Sequence, residues 1–174
     1  MILNIAAFPA EILRKKAEPV EEITEEIKTL IADMIETLYN AKGYGLAAPQ
    51  VNRSLRIFVV DRNGGKSVVR EPEVFINPEI TAFSGEIIAD EGCLSLPGEF
   101  APVKRYAKVT LTALNEKGES VILEAVEQRA RALQHEMDHL NGVLFLDHLP
   151  SFRKDTIKKH IKRRIQSGDY PQII

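Results

Sequence analysis

The stretch His-Glu-Met-Asp-His, residues 135–139, places two histidines four positions apart with a glutamate directly after the first. Residues at that spacing lie on one face of an α-helix, so both imidazoles can bind the same ion. The surrounding segment, residues 127–140, is predicted to be a helix that ends before an Asn-Gly pair. This H-E-x-x-H motif predicts a metal-dependent hydrolase in which His135 and His139 are ligands and Glu136 is the catalytic base.

Such a site needs a third protein ligand, because catalytic zinc-type sites use three and keep one position open for water. A metzincin would have a histidine where Phe145 stands, and a thermolysin-like site would have a downstream glutamate that this chain lacks. The candidates that remain are Cys93, Asp147, His148 and Asp155. Cys93, the only cysteine, is favoured because its Gly and Ser neighbours allow a close backbone approach. A thiolate with two imidazoles suits zinc or ferrous iron.

A second segment with small residues, Gly-Tyr-Gly-Leu-Ala-Ala-Pro-Gln at residues 43–50, follows the first predicted helix. Its glycines and alanines allow another chain to approach the backbone, and Gln50 could present an amide donor there. The alternative is a turn packed against the core. A phosphate-binding P-loop is excluded because the Lys-Ser/Thr pair is missing.

Composition limits the class of protein. The chain has 174 residues, 44% of them hydrophobic, and a formal net charge of −2, which predicts one soluble globular domain with no general attraction to nucleic acid. Residues 151–174 carry seven Lys/Arg and two Asp/Glu, so a basic tail follows an acidic remainder. We expect no signal peptide and no membrane span, and a single cysteine fits a reducing cytoplasm.

Periodicity predicts a mixture of helices and strands. The predicted helices cover residues 24–41, residues 127–140, and a basic segment that runs from an N-cap at Ser151 to about Gln166. The predicted strands cover residues 55–61, residues 73–77 before Pro78, and a hairpin of residues 108–114 and 120–125. We therefore predict a single α+β domain, residues 1–174, with antiparallel sheets packed around a central metal-binding helix, an N-terminal helix and a basic C-terminal helix.

Three segments, residues 43–50, 91–95 and 135–139, resemble in order and spacing the three signature motifs of the peptide deformylases. The similarity continues in Phe8-Pro9, Asn77-Pro78, Arg105 and residues 141–145, and so extends to about Pro150. The resemblance implies removal of the formyl group from the N-terminal formyl-methionine of new bacterial polypeptides, with release of formate.

The resemblance also implies a role for each matching residue. Ferrous iron, replaceable by nickel, cobalt or zinc, would be held by Cys93, His135 and His139. Hydroxide held by the ion would attack the formyl carbon with Glu136 as base, and the oxyanion would be held by Gln50 and the Leu94 N–H. The remaining positions are implied to bind substrate as an added strand, with the methionine side chain in an apolar pocket: Tyr44, Gly45, Glu91 and Gly92.

The resemblance leaves some features open. Tyr44 stands where the family more often has an aliphatic residue, which predicts a reshaped mouth of the site. At Phe100 some relatives have a basic residue, so no preference beyond methionine is predicted. We expect a monomeric bacterial cytoplasmic enzyme with no membrane partner. The C-terminal helix has two interpretations, a solvated face and a contact with the ribosome near the exit tunnel.

Three alternative functions are weighed. A general zinc peptidase would not need Cys93. A catalytically inactive binding relative would more often have lost Glu136 or a ligand. An RNA-binding protein with an incidental metal site is disfavoured by the acidic remainder of the chain.

Overall fold

The first long helix, α1 (Glu25–Asn40), forms where apolar residues recur at helical spacing, and it buries that face. The Thr24 side chain caps it by accepting a hydrogen bond from the Ile27 N–H. The computed structural model describes residues 1–65 and 68–173. Residue 174, at the end of the predicted domain and of the basic tail, lies outside the described residues.

A five-stranded antiparallel sheet forms the centre of the fold, and α1 packs on one of its faces. Its strands are β1 (Gly45–Ala47), β2 (Ile57–Asp61), β3 (Pro72–Ser84), β6 (Lys108–Leu114) and β7 (Ser120–Val126). They lie in the order β1-β2-β3-β6-β7.

Strand β2 is buried along its whole length because both faces of the sheet are covered. Ile57 and Val59 pack towards α1, whereas Phe58 and Val60 pack towards the helix α2 (Glu127–Leu140). Alternate residues of one strand therefore belong to two separate hydrophobic clusters.

A separate two-stranded hairpin carries part of the site. It consists of β4 (Ile87–Cys93) and β5 (Leu96–Arg105), joined by a turn at Leu94 and Ser95. Buried residues of β5 pack against the last helix, α3 (Ser151–Ser167), through Ile157 and Ile161. The Arg131 side chain on α2 donates hydrogen bonds to carbonyls of β4 and β5 and so ties the hairpin to that helix.

The α+β class with antiparallel strands in one domain is confirmed, as are α1, α2 and the β6-β7 hairpin. The prediction that Pro78 ends a strand is wrong, because β3 continues to Ser84. A register shift between Ile76 and Glu79, with Asn77 at φ 50°, lets the strand accommodate the proline. No helix in the described part of the chain is both long and apolar enough for a bilayer.

The prediction for the C-terminal helix needs three corrections. Ser151 is the first helical residue, and the N-cap position belongs to Pro150 without a side-chain cap. The spacing of the apolar residues Phe152, Ile157, Ile161 and Ile165 predicts that all four pack inwards, but Phe152 is exposed. Phe152 lies five positions before Ile157, which turns it about 140° around the helix from Ile157. Ile165, which the same spacing predicts to pack inwards, is 38% exposed.

Candidate metal centre

Three ligand atoms converge where β4 ends against α2. The helical spacing points the Nε2 atoms of His135 and His139 at each other, 3.2 Å apart. The Cys93 Sγ lies 3.3 Å from the His139 Nε2, and the three ligand atoms all lie within 4.8 Å of one another. Among the described residues, these three side chains form a group that could hold a metal ion. One thiolate and two imidazoles form a donor set that suits zinc or ferrous iron.

The other candidates for a third ligand lie elsewhere. The carboxylate of Asp147 accepts hydrogen bonds from Arg14, at 2.6 Å, and from the Leu144 N–H. His148 pairs with Asp138 at 2.8 Å, and Asp155 is exposed on α3. The structure therefore brings Cys93 to the histidines and leaves the three alternatives outside the cluster.

Glu91 orients one of the ligands. Its carboxylate contacts the His135 Nδ1 at 2.6 Å, which leaves the Nε2 of that ring facing the cluster. Burial alone would raise the pKa of Glu91, but hydrogen bonds from His135 and Arg105 outweigh it and lower the pKa to about 2. Arg131 also pairs with this carboxylate, at 3.0 Å. Because both of its carboxylate oxygens have partners, Glu91 is better placed to orient His135 than to contact substrate directly.

A second layer of polar groups extends from Arg105. Its guanidinium also donates to Asp138 at 2.6 Å, and Asp138 contacts His148. This layer links β5, α2 and the turn before α3 around one buried guanidinium. The contact of Arg131 with Glu91 was not predicted from the sequence, although the position of Arg131 four residues before His135 puts both on one helical face.

Gln50 lies against the cluster in a defined orientation. Its Oε1 accepts a hydrogen bond from the Ala47 N–H at 2.9 Å, so the Nε2 must be the atom that faces the site. The Nε2 donates to the Ser95 hydroxyl at 3.1 Å and lies 3.6 Å from the Cys93 Sγ. The segment 43–50 is thus not a simple turn, because it forms β1 and a 3₁₀ helix, Ala48–Val51, that delivers this amide.

Glu136 is buried beside the two histidines. Burial is the main cause that raises its pKa to about 7. Its Oε2 has no hydrogen-bond partner among the described residues, and buried polar atoms are rarely left so. Burial also lowers the pKa of His139, which keeps that ring in the neutral form that a metal ligand requires. These features fit a site that binds a divalent ion.

A cavity of about 500 Å³ opens onto the cluster. The residues that line it include Tyr44, Gly45, Gly92, Leu94 and Phe100. The Tyr44 ring packs over Gly64, where an added Cβ would lie 2.9 Å from the ring. All the residues predicted for the site thus lie around one cavity or at the donor cluster beside it.

Comparison with known proteins gives one consistent result. The family model described as polypeptide deformylase matches residues 2–155. The peptide deformylase of Thermodesulfovibrio yellowstonii is 45% identical over 166 residues, which cover 94% of this chain and 98% of that protein. A crystal structure of a peptide deformylase from Legionella pneumophila matches with a TM-score of 0.89 and 41% identity, covering 98% of this chain and 100% of that one.

A further structure is described as peptide deformylase from Ehrlichia chaffeensis in complex with actinonin. It matches with a TM-score of 0.87 and 36% identity, covering 94% of this chain and 97% of that one. The similarity therefore extends over nearly the whole chain, although most of α3 lies beyond the end of the family model.

Proposed function

The chain belongs to the polypeptide deformylase family, and on that premise we propose which of its residues carry out the reaction. As a peptide deformylase it removes the N-formyl group from nascent peptides. The observation that carries the assignment of residues is the convergence of Cys93, His135 and His139 beside the buried carboxylate of Glu136. These three residues are proposed to hold one divalent ion, with ferrous iron as the native metal.

Glu136 is proposed to move the proton. A bound divalent ion would lower the pKa of a coordinated water towards neutrality and polarise the formyl carbonyl. Glu136 accepts the proton of the attacking water and returns it to the leaving amine. Its free Oε2 supports this role, because no other group in the described structure competes for it. Formate and the free N-terminal amine leave the site.

Gln50 and Leu94 are proposed to stabilise the oxyanion that develops on the formyl oxygen. The Gln50 amide is preorganised, since the Ala47 N–H holds its other end. The Leu94 N–H lies in the turn directly after Cys93, at the wall of the same cavity. Removal of one preorganised donor of this type lowers the rate about a hundred- to a thousandfold.

The peptide is proposed to bind as an added strand. In the described sheets β1 and β4 each pair with one neighbour, so each has an open edge beside the cavity. Gly45 on β1 and Gly92 on β4 have no side chain to obstruct the pairing. The methionine side chain then enters the cavity, beside Glu136 and the start of α2.

The test of this assignment is Glu136→Gln, with Glu116→Gln in an exposed turn as the matched control. We expect the first variant to lose formate release from a formyl-Met tripeptide by about a hundred- to ten-thousandfold, because the proton acceptor is gone. Its metal content should stay close to one ion per chain, and the control should behave as native enzyme. Native turnover in Glu136→Gln would refute the assignment.

The basic helix α3 is proposed to contact the ribosome, in a monomeric enzyme of the bacterial cytoplasm. Most of its Lys and Arg side chains are exposed, among them Lys158, Lys159, Lys162 and Arg163. A charge-reversal variant of these four should lose salt-sensitive co-sedimentation with ribosomes while keeping formate release. Unchanged co-sedimentation would leave α3 as a solvated face.

A further inference from the structure

Phe100 is a large apolar side chain that the fold leaves in solvent at the mouth of the cavity. It is 69% exposed, and it lines the same cavity as Glu136 and Tyr44. Neighbouring side chains of β5 behave differently, because Glu99 and Ala101 are buried towards α3 and the hairpin core. The ring of Phe100 therefore faces the space that a bound peptide would enter.

The ring lies over a glycine of the neighbouring strand. Phe100 is the partner of Gly92 in the β4-β5 register, and a Cβ added to Gly92 would lie 2.5 Å from the ring. An aromatic ring packed over a cross-strand glycine is known to stabilise the strand pairing at that position. Here the ring extends across β4 towards the open edge of that strand.

The faces of β4 determine which substrate side chain meets the ring. Side chains alternate between the two faces of a strand. Glu91 points to His135 and Arg131 on α2, so the next residue, Gly92, belongs to the opposite face, the one that Phe100 covers.

A peptide paired with β4 alternates in the same way. If its methionine side chain enters the cavity on the α2 side, the side chain of the residue after methionine points to the face of Phe100. Neighbouring strands lie about 4.8 Å apart, so the peptide would lie about 9.5 Å from β5. The Phe100 ring already spans part of that distance, because it lies over Gly92.

We propose that Phe100 is a specificity-determining residue whose ring forms a platform for the side chain that follows the formyl-methionine. This inference rests on the proposed function and on the strand-like binding of the peptide. The platform favours an aromatic or aliphatic second residue. The exposed charged residues that line the cavity are Lys42 and Asp90, and their charges are of opposite sign. An apolar contact is therefore the distinguishing feature of this position.

The test compares three peptides, formyl-Met-Phe-Ala, formyl-Met-Ala-Phe and formyl-Met-Ala-Ala, on metal-loaded enzyme. The variant is Phe100→Ala, and the matched control is Ile88→Ala, which removes a side chain of the same hairpin that is 67% exposed and not part of the cavity wall. We expect Phe100→Ala to lower kcat/KM about two- to tenfold for formyl-Met-Phe-Ala only, mainly through KM, as one aromatic contact predicts. Ile88→Ala should leave all three values unchanged.

Three results would overturn the inference. An equal loss on all three peptides would show general damage to the hairpin, and a loss confined to formyl-Met-Ala-Phe would place the ring against the third residue. Formate release from formyl-Met-Ala-Ala by the native enzyme reports the proposed function separately. If that peptide is processed and Phe100→Ala changes nothing, the inference alone fails. If it is not processed, the proposed function fails as well.

Discussion

Individual residues of this site are constrained by their neighbours at atomic distance, and Gly45 is the sharpest case. A Cβ at Gly45 would lie 2.7 Å from the Glu136 Oε1, closer than side-chain carbons approach in proteins. The conformation of Gly45 does not demand a glycine, since its φ is not positive. The absence of a side chain is therefore required by the carboxylate that it faces.

Gly45→Ala should accordingly displace Glu136 and lower kcat by at least about tenfold, within the range that misplaced catalytic groups produce. The comparison is Gly43→Ala, where the added Cβ meets the flexible ends of two leucine side chains, Leu94 at 2.8 Å and Leu38 at 3.1 Å. Steady-state kinetics on a formyl-Met tripeptide would measure both. Equal kcat values in the two variants would contradict the steric argument.

Glu91 illustrates a residue whose role is electrostatic. It neutralises the buried guanidiniums of Arg105 and Arg131 while it holds His135. Glu91→Ala should reduce metal affinity about 10- to 100-fold, measured by competition with a chelator. It should also cost about 3–5 kcal/mol of stability, because the buried Arg131 loses its carboxylate partner and Arg105 keeps only Asp138.

Glu86→Ala is the matched control for Glu91→Ala. Glu86 lies directly before β4, the strand that carries Glu91, and its ion pair with Lys104 is exposed on both sides. An exposed pair contributes less than about 1 kcal/mol, and neither Glu86 nor Lys104 belongs to the cluster of candidate ligands. Similar effects of the two substitutions on metal affinity would argue against the proposed orientation of His135 by Glu91.

At the scale of elements, sequence periodicity predicted α1, α2 and the β6-β7 hairpin because each has a clear amphipathic pattern and a local end signal. It missed β4 and β5. Two prolines and a glycine within β5 suggest a loop, yet its burial pattern alternates as a strand should. Pro97 and Pro102 are tolerated because, in the sheets of the described residues, β5 pairs only with β4, which leaves one edge without ladder bonds.

The candidate site, too, has parts that could be predicted from the sequence and parts that could not. The three proposed metal ligands, Gln50 and Glu136 could be picked out from local motifs and the family resemblance. The support of His135 by Glu91, Arg105 and Arg131 could not, because these side chains come from three elements that meet only after folding. Tertiary polar networks leave little trace in one sequence, apart from helical spacings such as that between Arg131 and His135.

Helix α3 supplies a test of packing. Ile161 is 1% exposed against the hairpin, whereas Ile165, one turn later, is 38% exposed. Ile161→Ala should lower the free energy of unfolding by about 2–5 kcal/mol, as for other buried large-to-small changes. Ile165→Ala should cost clearly less. Urea denaturation would measure both, and equal costs would mean that α3 does not dock on β5 as described.

For the whole molecule, the proposed metal couples the site to the stability of the fold. The ligands come from β4 and α2, which are far apart in sequence and belong to different hydrophobic clusters. An ion that binds only the folded chain stabilises it in proportion to the logarithm of its concentration over Kd. Removal of the metal with a chelator should therefore lower Tm in the native protein and leave Tm unchanged in Cys93→Ala, as scanning calorimetry can measure.

The measurement that tests the central claim most directly is formate release from formyl-Met-Ala-Ser by anaerobically prepared protein loaded with ferrous iron or nickel. Acetyl-Met-Ala-Ser and unblocked Met-Ala-Ser serve as matched substrates, and Cys93→Ala serves as the control protein. We predict formate and the free amine from the formylated peptide alone, with turnover lost in the control. Cleavage of peptide bonds in the unblocked substrate would indicate a general metallopeptidase, and no turnover of any substrate by the metal-loaded native protein would contradict the deformylase account.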